Sequence, residues 1–270
     1  MPSVAVTSYF MKNSLLFLAV ILMTLNLRAQ DFSAYEKSSF VFKGDTLPYR
    51  ILFPKSFDPS KEYPVLVYLH GSGESGNDNE AQLIHGGKLF VADNFRETYP
   101  SIVIFPQCAK SSFWSNVKLP NRGVGETDLH FQIGGKPTKS MRTLVAFMDN
   151  FVAKPFVDHN RIYVGGSSMG GMGTFEILRR RPKMFAAAFP ICAGDNVKNV
   201  KKYKKVPIWI FHGIDDNVVP VSLSQSVADA LKAGKAKEVK LSLYPGVGHN
   251  SWDNAFAEPE LFPWLFSKRR

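Results

Sequence analysis

The sequence places one serine where it can act as a nucleophile, in the segment Gly166-Ser167-Ser168-Met169-Gly170. An apolar run that ends at Val164 precedes this segment, and a helical pattern follows it. A G-x-S-x-G segment between a strand and a helix makes a sharp turn that exposes the hydroxyl of its central serine. That central residue is Ser168, because Ser167 would need glycine in place of Met169. Ser168 is therefore the candidate nucleophile.

A histidine that can activate this serine comes late in the chain. His249 follows the last β-like run on a loop, whereas His85, His130 and His159 lie in helical or loop regions away from strand ends. A histidine at a strand end can reach a nucleophile at the same edge of a sheet. We therefore predict that His249 takes the proton of Ser168 and returns it to the leaving group.

A carboxylate is expected to orient the histidine by accepting a hydrogen bond from its Nδ1–H, and to stabilise the imidazolium that forms. Asp215 and Asp216 compete for this role, since both follow the apolar run at residues 208–211. Asp195, which follows the preceding run, is a more remote candidate. His212 begins the same segment as the two aspartates and is interpreted as a structural residue.

Attack by a serine on a carbonyl group develops negative charge on oxygen, which backbone N–H groups must stabilise. One predicted donor is the N–H of Met169, directly after the candidate nucleophile. The second is predicted in the loop His70-Gly71-Ser72-Gly73, where the N–H of Ser72 is preferred and that of Gly73 is the alternative. His70 itself is interpreted as a structural hydrogen-bonding residue.

Short apolar runs alternate with helical patterns along the body of the chain. Two β-rich runs, 40–42 and 49–53, flank a turn and predict a hairpin. Continuous apolar runs suit strands of a parallel sheet that is covered on both faces, and five of them follow, at 65–69, 102–105, 162–164, 186–189 and 208–211. Residues 239–244 are predicted as a last strand. Helices are predicted at 141–152, 171–181 and 222–233. This pattern indicates one α/β domain over residues 30–270, with a mostly parallel sheet of about eight strands flanked by helices.

One segment, residues 107–139, carries glycine, proline, asparagine and serine without a clear period. A connection of this length in a compact domain is usually functional or disordered, and it leaves a strand end where α/β sheets bind ligands. We predict that it forms a wall of the binding site, with Trp114 as a substrate-binding residue; a surface excursion is the alternative. Trp252, close to His249, is the second predicted substrate-binding residue.

The first 29 residues resemble a secretory signal peptide. An apolar run at 15–27 follows Lys12 and precedes Ala29, the last residue of a small-residue cleavage site. The run is shorter than the ~20 residues of a membrane-spanning helix. Met11 is an alternative start, and an uncleaved membrane anchor is the alternative interpretation. The mature protein is therefore expected to be secreted or periplasmic and not membrane-bound.

Composition excludes several classes of protein. The chain is 45% hydrophobic and 21% charged, which is ordinary for a globular domain. Its formal net charge is +10, but the basic clusters at 179–181 and 198–205 lack interleaved aromatic residues and are interpreted as solvated surface, so no nucleic acid is expected as a partner.

No metal-ligand spacing and no phosphate-binding glycine loop is evident, so we expect no metal and no cofactor. A bridge between Cys108 and Cys192 is not favoured if the chain has the usual strand order of the α/β-hydrolases, which it resembles as described next. That order places two strands between theirs, and at ~4.8 Å per strand the two cysteines would lie ~14 Å apart.

The sequence resembles secreted α/β-hydrolase esterases of the dienelactone-hydrolase-like and polyhydroxybutyrate-depolymerase-like ("predicted peptidase") group. The resemblance starts near Tyr63, and the residues that carry it lie at 63–74, 105–108, 160–175 and 185–192, together with Trp114. The family's H-G-x-x-D-x-x-V-P pattern falls on His212, Gly213, Asp216, Val219 and Pro220, so the resemblance favours Asp216 over Asp215. One departure is Gly165, where the family leads us to expect a bulkier residue.

The resemblance implies a serine carboxylic-ester hydrolase with Ser168, Asp216 and His249 as its catalytic triad and no large lid, since the connection at 193–206 is short. Candidate substrates are small-molecule esters and the acetyl or feruloyl esters of polysaccharides. A serine peptidase of the same fold and a non-catalytic binding module are the alternatives. The sequence leaves the acyl and alcohol groups and the oligomeric state open.

Overall fold

An eight-stranded sheet lies at the centre of the computed structural model, which describes residues 31–118 and 129–270. The sheet order is β1-β2-β4-β3-β7-β8-β9-β10. Its strands are β1 (Glu36–Phe42), β2 (Asp45–Leu52), β3 (Tyr63–Leu69), β4 (Ile102–Pro106), β7 (Val157–Ser167), β8 (Ala187–Ile191), β9 (Ile208–Gly213) and β10 (Val239–Tyr244). A separate antiparallel pair is formed by β5 (Val117–Lys118) and β6 (His130–Phe131). The signal peptide predicted at residues 1–29, with the alternative start at Met11, lies outside the described residues.

The strand directions confirm the predicted α/β-hydrolase architecture. β1 pairs antiparallel with β2, and β2 pairs antiparallel with β4. From β4 to β10 every neighbouring pair is parallel. Every residue of β3, β4, β8 and β9 is buried, which is why these strands appear in the sequence as continuous apolar runs.

The predicted hairpin is confirmed at the edge of the sheet. Phe42 pairs with Asp45, so a two-residue turn joins β1 to β2. Both turn residues have positive φ, 53° at Lys43 and 81° at Gly44. This turn matches the right-handed twist of the two strands.

Three longer helices flank the sheet where the sequence predicts them: α3 (Lys139–Phe151), α4 (Met169–Arg180) and α5 (Val221–Ala233). α3 begins where the side chain of Thr138 accepts a hydrogen bond from the N–H of Met141. Four short helices were not predicted, since five to seven residues are too few to show a helical period. They are α1 (Gly87–Val91), α2 (Asp93–Thr98), α6 (Trp252–Ala257) and α7 (Leu261–Ser267). Among the helices at 31–118 and 129–270, none is long and apolar enough to cross a membrane.

Candidate active site

The turn between β7 and α4 holds Ser168 in a strained conformation. Ser168 has φ 54° and ψ −119°, backbone angles that residues other than glycine rarely adopt. Gly166 and Gly170, two residues to either side of Ser168, leave room for this turn. A Cβ at Gly166 would lie 2.5 Å from the carbonyl oxygen of Gly170, and a Cβ at Gly170 would lie 1.8 Å from that of Leu69. Glycine is therefore the residue that fits at both positions.

The departure from the family pattern at Gly165 has a packing reason. A Cβ at Gly165 would lie 2.2 Å from the ring of Phe189, which is fully buried on the neighbouring strand. The ring stacks on Tyr68, with the two centroids 6.2 Å apart. Phe189 therefore occupies the space that a bulkier residue at 165 would need.

The structure brings the serine, the histidine and one of the competing aspartates into a hydrogen-bonded line. His249 Nε2 lies 2.9 Å from Ser168 Oγ, and His249 Nδ1 lies 2.8 Å from Asp216 Oδ2. A carboxylate that accepts from Nδ1–H leaves Nε2 free to accept the serine proton. Asp216 is only 8% exposed, whereas Asp215 is exposed and does not join this line.

Asp216 is held as a carboxylate by four donors. Its Oδ1 accepts the N–H groups of Val218 and Val219, each at 2.9 Å. Its Oδ2 lies 3.1 Å from His212 Nε2 as well as against His249. Burial would raise the pKa of this carboxyl, but these hydrogen bonds outweigh it and hold the pKa of Asp216 well below its usual range. The charge that orients His249 therefore persists at acid pH.

The two other histidines at strand ends have structural contacts. His212 is fully buried; its Nδ1 lies 2.7 Å from Ser224 Oγ, and its Nε2 lies 2.9 Å from the carbonyl oxygen of Val219. His70 Nε2 accepts the N–H of Cys108 at 2.9 Å. Burial lowers the pKa of His70 to about 4, so it accepts this bond as a neutral ring at pH 7. These contacts agree with the structural roles predicted for both residues.

A small cavity of about 110 Å³ opens beside the serine hydroxyl. It is lined by residues 71–74 of the loop after β3, by Ser167 and Ser168, and by His85, His249 and Trp252. In the described part of the chain, neither the N–H of Ser72 nor that of Met169 donates to a protein acceptor. The two amides predicted to stabilise an oxyanion are thus not committed to other acceptors.

Trp252 lies where a substrate-binding residue was predicted, in the wall of this cavity. Its ring contacts two histidines, with centroid distances of 4.7 Å to His85 and 5.6 Å to His249. Glu74 and His85 also line the cavity, and the sequence predicts neither of them there. His85 lies away from the strand ends, and no sequence period marks the turns that bring it here.

The prediction that Trp114 binds substrate is wrong in this structure. Trp114 is 0% exposed and belongs to the hydrophobic core. A Cβ at Gly173 of α4 would lie 2.4 Å from Trp114 Cβ, so the absence of a side chain at Gly173 lets the tryptophan pack directly on the helix. On its other side the indole ring meets the ring of His70, with centroids 5.5 Å apart. A side chain enclosed in this way does not reach the cavity beside Ser168.

Both cysteines are buried free thiols. They follow β4 and β8, which β3 and β7 separate in the sheet, as expected. Cys192 lies near the hydrogen-bonded line: its Sγ, one oxygen of Asp216 and one nitrogen of His249 lie within 4.8 Å of one another. Burial raises the pKa of the Cys192 thiol well above its usual value, so it is a neutral neighbour of the carboxylate.

A second cavity of about 730 Å³ has a strongly basic lining, which includes the clusters at 179–181 and 198–202. It lies at the far end of α4, whose first turn adjoins Ser168. Several of its charges are already paired. Arg179 and Arg180 bind Glu176, and Arg181 binds Asp149. The side chains of Arg179 and Arg180 are only 7% and 15% exposed, so the interpretation of these two residues as solvated surface is wrong: they are largely buried on Glu176.

The chain matches known proteins over most of its length. Residues 126–262 match the phospholipase/carboxylesterase family of α/β-hydrolases. A solved structure described as a thermostable esterase superposes with a TM-score of 0.79 at 32% identity, covering 88% of this chain and 64% of that one. An Arabidopsis thaliana protein named "Probable carboxylesterase SOBER1-like" is 29% identical over 200 residues, which cover 68% of this chain and 72% of that protein.

A third relative is much longer than this chain. It is a bifunctional acetylxylan esterase/xylanase from Neocallimastix patriciarum, 26% identical over 167 residues. The match covers 62% of this chain but only 21% of that protein. Together these similarities place the chain among carboxylesterase-type hydrolases.

Proposed function

The chain belongs to the phospholipase/carboxylesterase family, and from that premise we propose that it is a secreted serine carboxylic-ester hydrolase that works through an acyl-enzyme. Ser168 is the nucleophile, His249 the general base and acid, and Asp216 the orienting carboxylate. The observation that carries this proposal is the hydrogen-bonded line itself, with 2.9 Å between Ser168 Oγ and His249 Nε2 and 2.8 Å between His249 Nδ1 and Asp216 Oδ2.

In the first half-reaction, Ser168 Oγ attacks the ester carbonyl while His249 Nε2 takes the hydroxyl proton. The tetrahedral intermediate collapses, the bond to the alcohol breaks, and the alcohol leaves with the proton that His249 returns. In the second half-reaction, water gives a proton to His249 and attacks the acyl group. The carboxylic acid departs and Ser168 regains its proton.

The N–H groups of Ser72 and Met169 stabilise the oxyanion in both half-reactions. This role is supported by their position, since Ser72 lines the cavity beside Ser168 and Met169 begins α4 directly after it. It is also supported by the lack of a competing protein acceptor for either donor at 31–118 and 129–270. Loss of one such donor costs about 10²–10³ in rate in a serine protease.

The substrate we favour is an ester carried by a polysaccharide. Export is supported by the charged, apolar and small-residue order of residues 12–29, which is typical of a signal peptide. The similarity to a relative named as an acetylxylan esterase supports acetyl esters of plant polysaccharides. N-terminal sequencing of protein recovered outside the cytoplasm tests export. A mature chain that starts at Gln30 is expected, and intact residues 1–29 in that fraction would contradict cleavage.

Replacement of Ser168 by alanine tests the reaction. Wild-type protein and Ser168→Ala are compared on acetyl, butyryl, octanoyl and feruloyl esters, on acetylated xylan and on a chromogenic peptide. We expect ester cleavage in the wild type and a loss of at least about 10⁴-fold in the variant, with unchanged circular dichroism. Ester cleavage retained in Ser168→Ala would refute the nucleophile, and cleavage of the peptide alone would favour a peptidase of the same fold.

A further inference from the structure

The wall of the small cavity contains a buried carboxylate that the proposed mechanism does not use. Glu74 is 9% exposed, and its Oε2 has no hydrogen-bond partner in the described chain. The group lies close to the nucleophile: a Cβ at Gly71 would be 3.1 Å from Glu74 Oε2 and 3.7 Å from Ser168 Cβ. An unsatisfied carboxylate in such a position is costly to stability, which calls for an explanation from function.

The neighbours of Glu74 leave its Oε2 without a hydrogen-bond donor in the described chain. His70 Nδ1 is 3.9 Å from Oε2, but burial lowers the pKa of His70 to about 4, so its ring is neutral. His85 Nε2 is 3.6 Å from Oε1, which is too long for a hydrogen bond. The carboxylate therefore keeps acceptor capacity at the edge of the cavity.

The other groups around Glu74 form a wall of mixed character. The side chain of His85 is 30% exposed. Its ring packs on the ring of Trp252, with the two centroids 4.7 Å apart. Trp252 in turn meets the ring of His249 edge-on at 5.6 Å. A polar pair and a flat apolar surface thus lie side by side, next to the histidine that must protonate the leaving alcohol.

The cavity beside Ser168 is small. About 110 Å³ equals roughly four water molecules at ~30 Å³ each. This space accommodates an acetyl group and one edge of an alcohol. The remainder of a larger alcohol must lie against the rim formed by His85 and Trp252.

A sugar ring has the chemistry that this rim matches. Its hydroxyl groups donate hydrogen bonds that a carboxylate accepts strongly, and its C–H face packs on an indole. We propose that Glu74, His85 and Trp252 form a subsite for the sugar ring of the leaving alcohol, so that the preferred substrate is an acetyl ester of a carbohydrate. This inference rests on ester hydrolysis at Ser168.

Glu74→Gln tests the subsite, because the amide keeps the shape of the side chain and removes its charge. Two acetyl esters are compared: an acetylated xylo-oligosaccharide, and 4-nitrophenyl acetate, whose alcohol has no further hydroxyl. We expect kcat/KM of the variant to fall about 10- to 100-fold on the sugar ester, mainly through KM, and less than about 3-fold on the nitrophenyl ester. Glu62→Gln, at an exposed position in no ion pair of the described chain, is the control and is expected to match the wild type on both.

A second variant keeps the test valid if Glu74→Gln does not fold. His85→Asn is expected to lose activity on the sugar ester selectively, since its side chain is partly exposed and carries little of the core. Equal losses on both esters would overturn the subsite, because the residues would then act on the ester group. A larger loss on acetylcholine than on the sugar ester would also overturn it, in favour of a cationic alcohol. Failure of the proposed function looks different: wild-type protein would be inactive on both esters, or Ser168→Ala would be active.

Discussion

Asp216→Asn should disable the base by reversing the tautomer of His249. The carboxylate has two distinct sides: Oδ1 accepts two backbone N–H groups, and Oδ2 faces His249 Nδ1 and His212 Nε2. In the variant, the amide oxygen must take the Oδ1 side, since the backbone donors need an acceptor. The amide NH2 then faces His249 and donates to Nδ1. His249 would carry its proton on Nε2, where it blocks proton transfer from Ser168.

The expected magnitude follows from the two roles that the carboxylate loses. The change removes both the correct tautomer and the charge that stabilises the imidazolium, in a site where Asp216 is 8% exposed and screening by water is weak. The same change in a serine protease lowers kcat about 10⁴-fold. We expect a loss of about 10³–10⁴-fold in kcat, which corresponds to about 4–5.5 kcal/mol of activation free energy.

The matched control for this experiment lies one residue away. Asp215 is exposed, and within residues 31–118 and 129–270 its one hydrogen bond is from its backbone N–H to the carbonyl oxygen of Val247, at 3.0 Å. Asp215→Asn should leave kcat on 4-nitrophenyl acetate within about 2-fold of the wild type. Circular dichroism and thermal unfolding of both variants establish that each is folded. A larger loss in Asp215→Asn, or an Asp216→Asn enzyme within 10-fold of the wild type, would contradict the role assigned to Asp216.

Two further predictions concern stability. Gly165→Ala places a Cβ 2.2 Å from the ring of Phe189 and should lower the free energy of unfolding by about 1–3 kcal/mol. Addition of Phe189→Leu should recover part of this loss in a thermal double-mutant cycle, and strictly additive effects would contradict the clash. Burial raises the pKa of Asp195 to about 6 from an ordinary 3.8, so the native protein retains a proton that the unfolded chain has released. The free energy of unfolding of the wild type, measured relative to that of Asp195→Asn, should therefore fall by up to about 3 kcal/mol as the pH rises from 4 to 7. A difference in urea unfolding that stays constant with pH would contradict this.

The sheet and the hydrogen-bonded line of Ser168, His249 and Asp216 are predictable from the sequence for the same physical reason. Strands buried on both faces require unbroken apolar runs, and the segments that follow those runs are the strand ends where side chains converge. The glycines around Ser168 add a constraint of their own, because the backbone contacts at 166 and 170 exclude any side chain. The serine motif, the position of Ser168 within it and the edge of the sheet where it lies can therefore all be predicted from the sequence.

The misassigned and missed residues depend on tertiary neighbours. Trp114 lies in a stretch without a period, which suggested a binding wall, but it is buried because Gly173 of α4 leaves a place for it. Glu74 lies in a single 3₁₀ turn, and His85 lies between two short helical segments. Turns of three to five residues carry no periodic signal, so the sequence does not show that these side chains meet beside Ser168.

The strain at Ser168 persists because buried backbone bonds connect the ends of three neighbouring strands. The N–H of Ser168 donates to the carbonyl oxygen of Ile191 on β8 at 2.9 Å. The next residue, Cys192, also has a positive φ of 42°, and its N–H donates to Phe211 on β9 at 2.8 Å. A residue held in such a region costs about 1–3 kcal/mol and survives only where its surroundings fix it. Relaxation of the turn at Ser168 would leave a buried donor and acceptor unpaired, at a similar cost of about 1–3 kcal/mol.

The loop that carries His249 is tied to the same frame at the end of β9. Gly213 has no room for a side chain, since a Cβ there would lie 2.2 Å from the carbonyl oxygen of Val247. That oxygen accepts the N–H of Asp215, so the segments before Asp216 and before His249 are joined by backbone alone. Proton transfer over 2.9 Å requires that these two segments and the turn at Ser168 keep their spacing while charge moves between them. Because that spacing is set by backbone contacts, a side chain at Gly213 would disturb the line even though no atom of Gly213 belongs to it.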